Sequence, residues 1–333
     1  MLLTAGIIYS QDSPTDYSAI DRKVLGIESS DPVELSHLLT DSLPTEKEKV
    51  RAIFRWITEH ISYYRYVPKK GKRKNLDVYP DNDINAPDTS ALQSVTERVA
   101  RKIFRDRKGF CDGYSRLFKY LCDNAGIKSQ IVTGYARSDL YRLESRFRSN
   151  HSWNAVCIDS AWYLLDVTWA SGFITTGDQF VKRYEDYFFL TPPDKFIRHH
   201  YPDDMRWTLL TSAPPMTEFR YTPFRVRSFV KYPITDYFPS RGIIEARVGD
   251  TVHLELDTEI PYDAISISPD SLWEAEALPT APNYAYLAPT FLPGKNKVLY
   301  SYHVESDAVE WLHIMYNNDA VLRYRLIIKK DKK

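Results

Sequence analysis

A thiol, an imidazole and a carboxylate follow one another along this chain in segments whose composition is unusual. Cys111 lies in Gly109-Phe110-Cys111-Asp112-Gly113-Tyr114-Ser115, His151 in Asn150-His151-Ser152-Trp153-Asn154, and Asp166 in Trp162-Tyr163-Leu164-Leu165-Asp166-Val167-Thr168-Trp169. These are the groups that acyl transfer by a cysteine nucleophile requires. A free thiol is mostly protonated near neutral pH, so a site that uses one lowers its pKa with a helix N-terminus and a nearby imidazolium. Downstream of Gly113, the residues Tyr114, Leu117, Phe118, Leu121, Cys122 and Ala125 recur at helical spacing and Gly126 supplies a stop. The spacing predicts a helix with Cys111 at or just before its first turn, where unsatisfied N–H groups and the macrodipole favour a negative sulfur. Gly109 and Gly113 are expected to let the backbone turn sharply and a substrate approach closely.

The base and its orienter belong to an expected β-hairpin. Residues 151–158 and 162–169 are rich in β-branched and aromatic types, and Asp159-Ser160 between them has turn chemistry. A two-residue loop pairs Ile158 with Ala161, and a ladder continued from there pairs His151 with Thr168 and Trp153 with Asp166. His151 and Asp166 then share a face as diagonal neighbours, roughly 7–8 Å apart at the backbone. A four-residue loop keeps that face; a three-residue loop reverses it. In this arrangement Asp166 orients His151 and stabilises the imidazolium formed when Cys111 gives up its proton. Taken singly, a helical Cys is usually a small buried hydrophobe, and a strand His or Asp is usually structural. Their joint order favours the catalytic reading.

The same segments resemble the transglutaminase-like superfamily, and within it the branch typified by kyphoscoliosis peptidase. The resemblance rests on the Gly-x-Cys-x-Gly-Tyr-Ser segment, the Asn-His-x-Trp-Asn strand and the Trp-Tyr-x-Leu-Asp-x-Thr-Trp segment, with Cys122-Asp123-Asn124-Ala125-Gly126-Ile127 after the helix. A Tyr187-Phe188-Phe189-Leu190-Thr191-Pro192-Pro193 stretch, His200-Tyr201-Pro202 and Trp207-Thr208-Leu209-Leu210 extend it over roughly residues 45–212. The resemblance implies Cys111 as nucleophile, His151 as base and Asp166 as orienter, with Gly109, Gly113, Tyr114, Asn150, Trp153 and Trp169 binding substrate or supporting the triad. Such a family fixes machinery better than substrate, since it includes peptidases, amidases, cross-linking enzymes and inactive members.

Composition narrows the partners. The chain has 333 residues, 43% hydrophobic and 26% charged, and its 44 basic side chains balance 44 acidic ones. No net field draws it to nucleic acid or to an anionic membrane, and no apolar run reaches the roughly 18–20 residues that span a bilayer. The run Lys69-Lys70-Gly71-Lys72-Arg73-Lys74 reads as a solvated loop. The 24 Tyr, 7 Trp and 15 Phe suit a groove that grips an extended peptide or glycan, and equally suit sheet faces. A protein or peptide is the expected substrate, with a cell-wall or surface glycopeptide as a further candidate. Cys122 lies eleven residues from Cys111, roughly 16 Å along a helix, which is too far for a disulfide. Cys157 reads as a packed strand residue. Neither the cysteines nor the adjacent His199 and His200, whose side chains point apart in an extended segment, make a metal site, and no cofactor is expected.

These elements predict an α+β chain with a papain/transglutaminase-like catalytic core, a helical N-terminal segment and a C-terminal β-sandwich. Residues 1–11 read as a secretory-signal remnant or a short N-terminal strand; the first makes export to a periplasmic or extracellular space the expected localisation, and the second leaves the cytoplasm as the alternative. Residues 12–95 form the helical segment, in which a Thr45-x-x-Glu48 capping box opens an amphipathic helix through Val50, Ile53, Phe54, Ile57 and Ile61. Residues 65–90 read as irregular, 91–108 as helix, 130–136 as strand and 137–150 as a charged loop. The catalytic domain covers 96–212. Residues 213–333 form an immunoglobulin-like accessory sandwich, with strands at 243–247, 252–256, 264–267, 297–304, 311–316 and 321–328. The expected function is thiol-dependent acyl transfer at an amide, as a peptidase or amidase; the alternatives are a cross-linking transglutaminase and a non-catalytic scaffold. The Cys111 backbone N–H is the expected oxyanion donor, with Gln93 a candidate second donor.

Overall fold

The Thr45–Glu48 capping box forms in the computed structural model, which describes residues 16–64, 94–137, 149–174, 179–261, 282–291 and 294–329. Glu48 N donates to Thr45 Oγ1 at 3.2 Å, and Thr45 N donates to Glu48 Oε2 at 3.1 Å. The expected N-terminal signal or strand, the basic run 69–74, Gln93, most of the charged loop and the strand at 264–267 lie outside the described residues. The fold class is α+β. The chain divides into two compact units, residues 1–133 with 150–193, and residues 134–149 with 194–333.

The first unit opens with the helices α1 (Ser18–Leu25), α2 (Pro32–Thr40) and α3 (Glu46–His60), followed by the two-residue strand β1 (Ser62–Tyr63). Helix α4 (Val95–Asp106), strand β2 (Lys108–Gly109) and helix α5 (Cys111–Asn124) come next. Strand β3 (Ser129–Ala136) begins in this unit, and β4 (His151–Ile158), β5 (Ala161–Leu165), α6 (Val167–Ser171) and the hairpin β6 (Gly172–Ile174) with β7 (Phe180–Lys182) complete it. The helices expected as a separate segment therefore share a unit with α5. Leu35, Phe54, Trp56, Tyr114, Phe118 and Val156 belong to one buried core, and each large side chain so buried contributes about 1.5–3 kcal/mol. Arg51 of α3 is buried and pairs with Asp21 and Asp186, bonding Asp21 through both carboxylate oxygens at 2.7 and 2.6 Å. Ser36 Oγ ties α2 to α5 by donating to Leu121 O at 2.7 Å.

The second unit holds the end of β3, where Gly134–Ala136 pair antiparallel with β8 (His200–Pro202). It also holds most of α7 (Pro193–Phe196), all of α8 (Met216–Tyr221) and two sheets. Their strands are β9 (Phe224–Arg225), β10 (Ile234–Phe238), β11 (Ile243–Ala246), β12 (Thr251–Thr258), β13 (Tyr284–Leu287), β14 (Thr290–Phe291), β15 (Lys297–His303), β16 (Trp311–Tyr316) and β17 (Asp319–Ile328). One sheet runs β10-β12-β15-β14; the other runs β11-β17-β16-β13, with β9 also on β17. Alternate residues of both sheets, Leu254, Leu256, Val298 and Tyr300 from one and Leu312, Ile314, Tyr324 and Leu326 from the other, share a single buried core. That is the expected sandwich. Asn317 and Asn318, both at positive φ, form the two-residue turn between β16 and β17, a conformation that Asn tolerates. Arg137, at the end of β3, is buried and donates to the carbonyls of Phe219, Thr222 and Pro223, holding α8 against the strand.

Candidate active site

Cys111 is the first residue of α5. Phe110 precedes it in extended conformation, and no side chain caps this helix end. The first-turn N–H groups and the macrodipole therefore act at the position of the thiol, as the apolar spacing of the helix requires. On the same turn Asp112 is buried against Arg116, Nε to Oδ2 at 2.8 Å, so the adjacent carboxylate is neutralised by its own helix rather than by the thiol's partner.

The approach to Cys111 differs from the expected glycine turn. The left-handed residue is Arg107, at φ 53, which closes α4. Gly109 lies in β2, parallel to β1 and opposite Tyr63. A Cβ there would meet Ile103 Cδ1 at 2.9 Å, so this glycine serves the close approach of β2 to α4. Gly113 is buried within the first turn of α5 and makes no turn of its own. Tyr114 is fully buried and donates its hydroxyl to Ile61 O at 2.8 Å. It supports the helix from the core side and has no solvent face to offer a substrate.

His151 opens β4 and Asp166 follows β5. The ladder between these strands runs from Ile158↔Ala161 to Asn154↔Leu165, and Asp159 and Ser160 have positive φ as the two-residue loop requires. The expected register is present. The expected continuation is not, because residues 167–171 are helical and the pairs His151–Thr168 and Trp153–Asp166 do not form. The cause is Asp166 itself, whose Oδ1 accepts from Thr168 N at 2.8 Å and from Trp169 N at 3.0 Å and so caps α6. Turning the chain at this point leaves Oδ2 for His151 Nε2, at 2.7 Å in a buried setting.

Burial alone would strip the proton from His151. The charge and hydrogen bond of Asp166, followed by the hydrogen bond and charge of Cys111, outweigh it and push the imidazole up to about 10. The ring is held by two indoles: Trp153, fully buried, stacks at 6.1 Å and 28°, and Trp169 lies at 5.5 Å and 39°. Asn150 is half-buried just before β4. The fold thus brings His151 and Asp166 together, with Trp153 and Trp169 around the imidazole, while Cys111 stands at the head of α5. Phe110, beside the thiol, meets Tyr64 edge-on at 5.4 Å and Tyr63 at 6.1 Å.

The remaining cysteines are free, as is Cys111. Burial raises the Cys122 thiol far above its ordinary value, whereas Cys157 is half-buried in β4 opposite Trp162. In the second unit His199 and His200 are both buried; His200 stacks on Phe196 at 4.2 Å, and burial followed by the charge of Arg225 holds His199 neutral. One residue was passed over in the sequence. Asn154 is fully buried in β4, and its Nδ2 donates to Ser115 O in α5 at 3.0 Å and to Gln130 O in β3 at 3.4 Å. It stood in the Asn-His-x-Trp-Asn motif, but its partners belong to distant segments.

Comparison with known proteins finds similarity to one family over part of the chain. Residues 34–167, a span that contains Cys111, His151 and Asp166, match the core-domain model of the transglutaminase-like superfamily. Kyphoscoliosis peptidase from Mus musculus is 31% identical over 223 residues, covering 65% of this chain and 30% of that protein. The Homo sapiens protein of the same name is 30% identical over 230 residues, covering 66% and 31%. Hillarin from Drosophila melanogaster is 28% identical over 249 residues, covering 69% and 27%. The chain spans under a third of the length of these curated relatives. A solved TGase structure is 17% identical, covers 55% of this chain and 40% of that one, and has a TM-score of 0.26, too slight a likeness to bear on fold or chemistry. The chain carries a domain of the transglutaminase-like superfamily.

Proposed function

We propose that this chain carries out thiol-dependent acyl transfer at an amide of a protein or peptide, as a peptidase or amidase, with Cys111, His151 and Asp166 as its triad. The observation that carries the reading is the buried His151–Asp166 pair at 2.7 Å, taken together with a cysteine that opens an uncapped helix. The Cys111 thiolate attacks the amide carbonyl and forms a C–S bond. The developing oxyanion is met by the Cys111 backbone N–H at the head of α5. As the C–N bond breaks, the His151 imidazolium gives its proton to the leaving amine, and a thioester remains. Neutral His151 then takes a proton from water, whose hydroxide displaces the thiolate to give the carboxylic acid and restore the ion pair. Asp166 keeps the imidazole in register throughout. An amine in place of that water turns the same thioester into a cross-link.

The peptidase reading is supported by the similarity to two relatives that are named kyphoscoliosis peptidase. The buried Trp153 and the indole of Trp169 act as a wall that fixes the ring, and the immunoglobulin-like sandwich acts as an accessory domain. Substrate profiling with a peptide library, run with and without a primary amine, tests the proposal. Turnover by wild type that vanishes in Cys111→Ala is the expected result, and amine incorporation would identify the cross-linking variant. Identical profiles for wild type and Cys111→Ala would leave a non-catalytic scaffold as the function.

A further inference from the structure

We infer that Asn154 is a positioning residue that sets the spacing between Cys111 and His151, an inference that rests on the proposed triad. Its side chain is a three-way tie. The backbone of Asn154 belongs to β4, which begins with His151, and it pairs with Leu165, the neighbour of Asp166. Its Nδ2 donates to Ser115 O, one helical turn beyond Cys111, and to Gln130 O on β3. Both partners are carbonyl oxygens, so the amide can present only its nitrogen to them. The side-chain amide thus connects the strand of the imidazole to the helix of the thiol and to β3, while the backbone of Asn154 pairs with the residue before the carboxylate.

The chemistry of the position argues against simple filling. Asn154 has 0% exposure, and its Oδ1 is buried with no hydrogen-bond partner among the described residues. A leucine of similar shape would avoid that unsatisfied acceptor. The donors alone repay the choice of an amide, and what they hold is the approach of α5 to β4. A thiolate–imidazolium pair is sensitive to such spacing, because its charges attract in a buried medium and the attraction weakens as they separate. The charged and titratable groups of the same unit in this setting include the His151–Asp166 pair, and Asp112 with its partner Arg116 on α5.

The test is the pH profile of Cys111 alkylation by iodoacetamide, followed by mass spectrometry in the full chain. Wild type should be alkylated at Cys111 faster near neutral pH than His151→Ala. Asn154→Leu should move the midpoint up by one pH unit or more, slowing alkylation about tenfold below it while leaving the high-pH plateau within about twofold. Asn154→Ser, which removes the reach to both carbonyls with less steric demand, should do the same and serves if the leucine variant does not fold. Ser36→Ala is the control, since it deletes another buried side-chain bond to a carbonyl of α5, at the far end of that helix. Its midpoint should match wild type. A folded Asn154 variant with an unshifted midpoint, or an equal shift in Ser36→Ala, overturns the positioning role. Equal Cys111 alkylation in wild type and His151→Ala overturns the triad itself, so the two failures are distinct.

Discussion

At the scale of single residues, the site is an exercise in holding a proton. His151 is buried, which disfavours its charge, yet Asp166 and Cys111 reverse the balance and raise it from 6.5 to about 10. A group raised on folding stabilises the folded state in full below its unfolded value, and that contribution is lost as pH climbs through the folded value. The stability difference between wild type and His151→Gln should therefore be largest below pH 6.5 and shrink between 6.5 and 10, as urea unfolding at several pH values would measure. A difference that grows over that window would mean that the imidazole is neutral in the fold. Asp166 has two duties that one substitution separates. Asn caps helices as well as Asp does, so Asp166→Asn should keep α6 while giving up the stability that the charged His151 pair contributes. It removes the charge that fixes His151, and turnover in a peptide assay should fall roughly a hundredfold or more.

At the scale of elements, the site depends on two helix starts with opposite designs. The start of α5 carries no side-chain cap, which leaves its dipole to the thiol, whereas α6 is capped by the carboxylate that serves the imidazole. The start of α3 has neither duty and uses a full capping box. Thr45→Ala should accordingly cost about 1 kcal/mol of stability in chemical denaturation, with the Cys111 alkylation rate unchanged. Sequence was a good guide to elements whose cause is local. Periodicity placed α3, α4 and α5 within a few residues, and the Asp159-Ser160 turn chemistry set the register of β4 and β5. It was a poor guide to α6, because Val167, Thr168 and Trp169 have strand-like side chains and a single capping carboxylate overrode them.

At the scale of the whole molecule, two cores organise the chain, one within the helices and β4, the other between the faces of the sandwich. Leu254 is nearly inaccessible in the second, and Leu254→Ala should cost about 2–5 kcal/mol, read from hydrogen exchange of β12 and β15 amides. No helix among the described residues is long and apolar enough to cross a membrane. By itself the sequence determined the α+β class, the helix that begins at Cys111, the hairpin turn and the sandwich core strands β12, β15, β16 and β17. Each of these follows from periodicity or turn chemistry within a short window. Tertiary structure alone decided that β10 and β13 are strands, since they are defined by pairing with β12 and β16. It alone brought Asp166 Oδ2 to His151 by ending β5 early, and it alone gave Asn154 its partners at Ser115 and Gln130. The physical reason is the same in each case: a hydrogen bond between segments distant in sequence is satisfied only when both arrive, and nothing in either segment records the other.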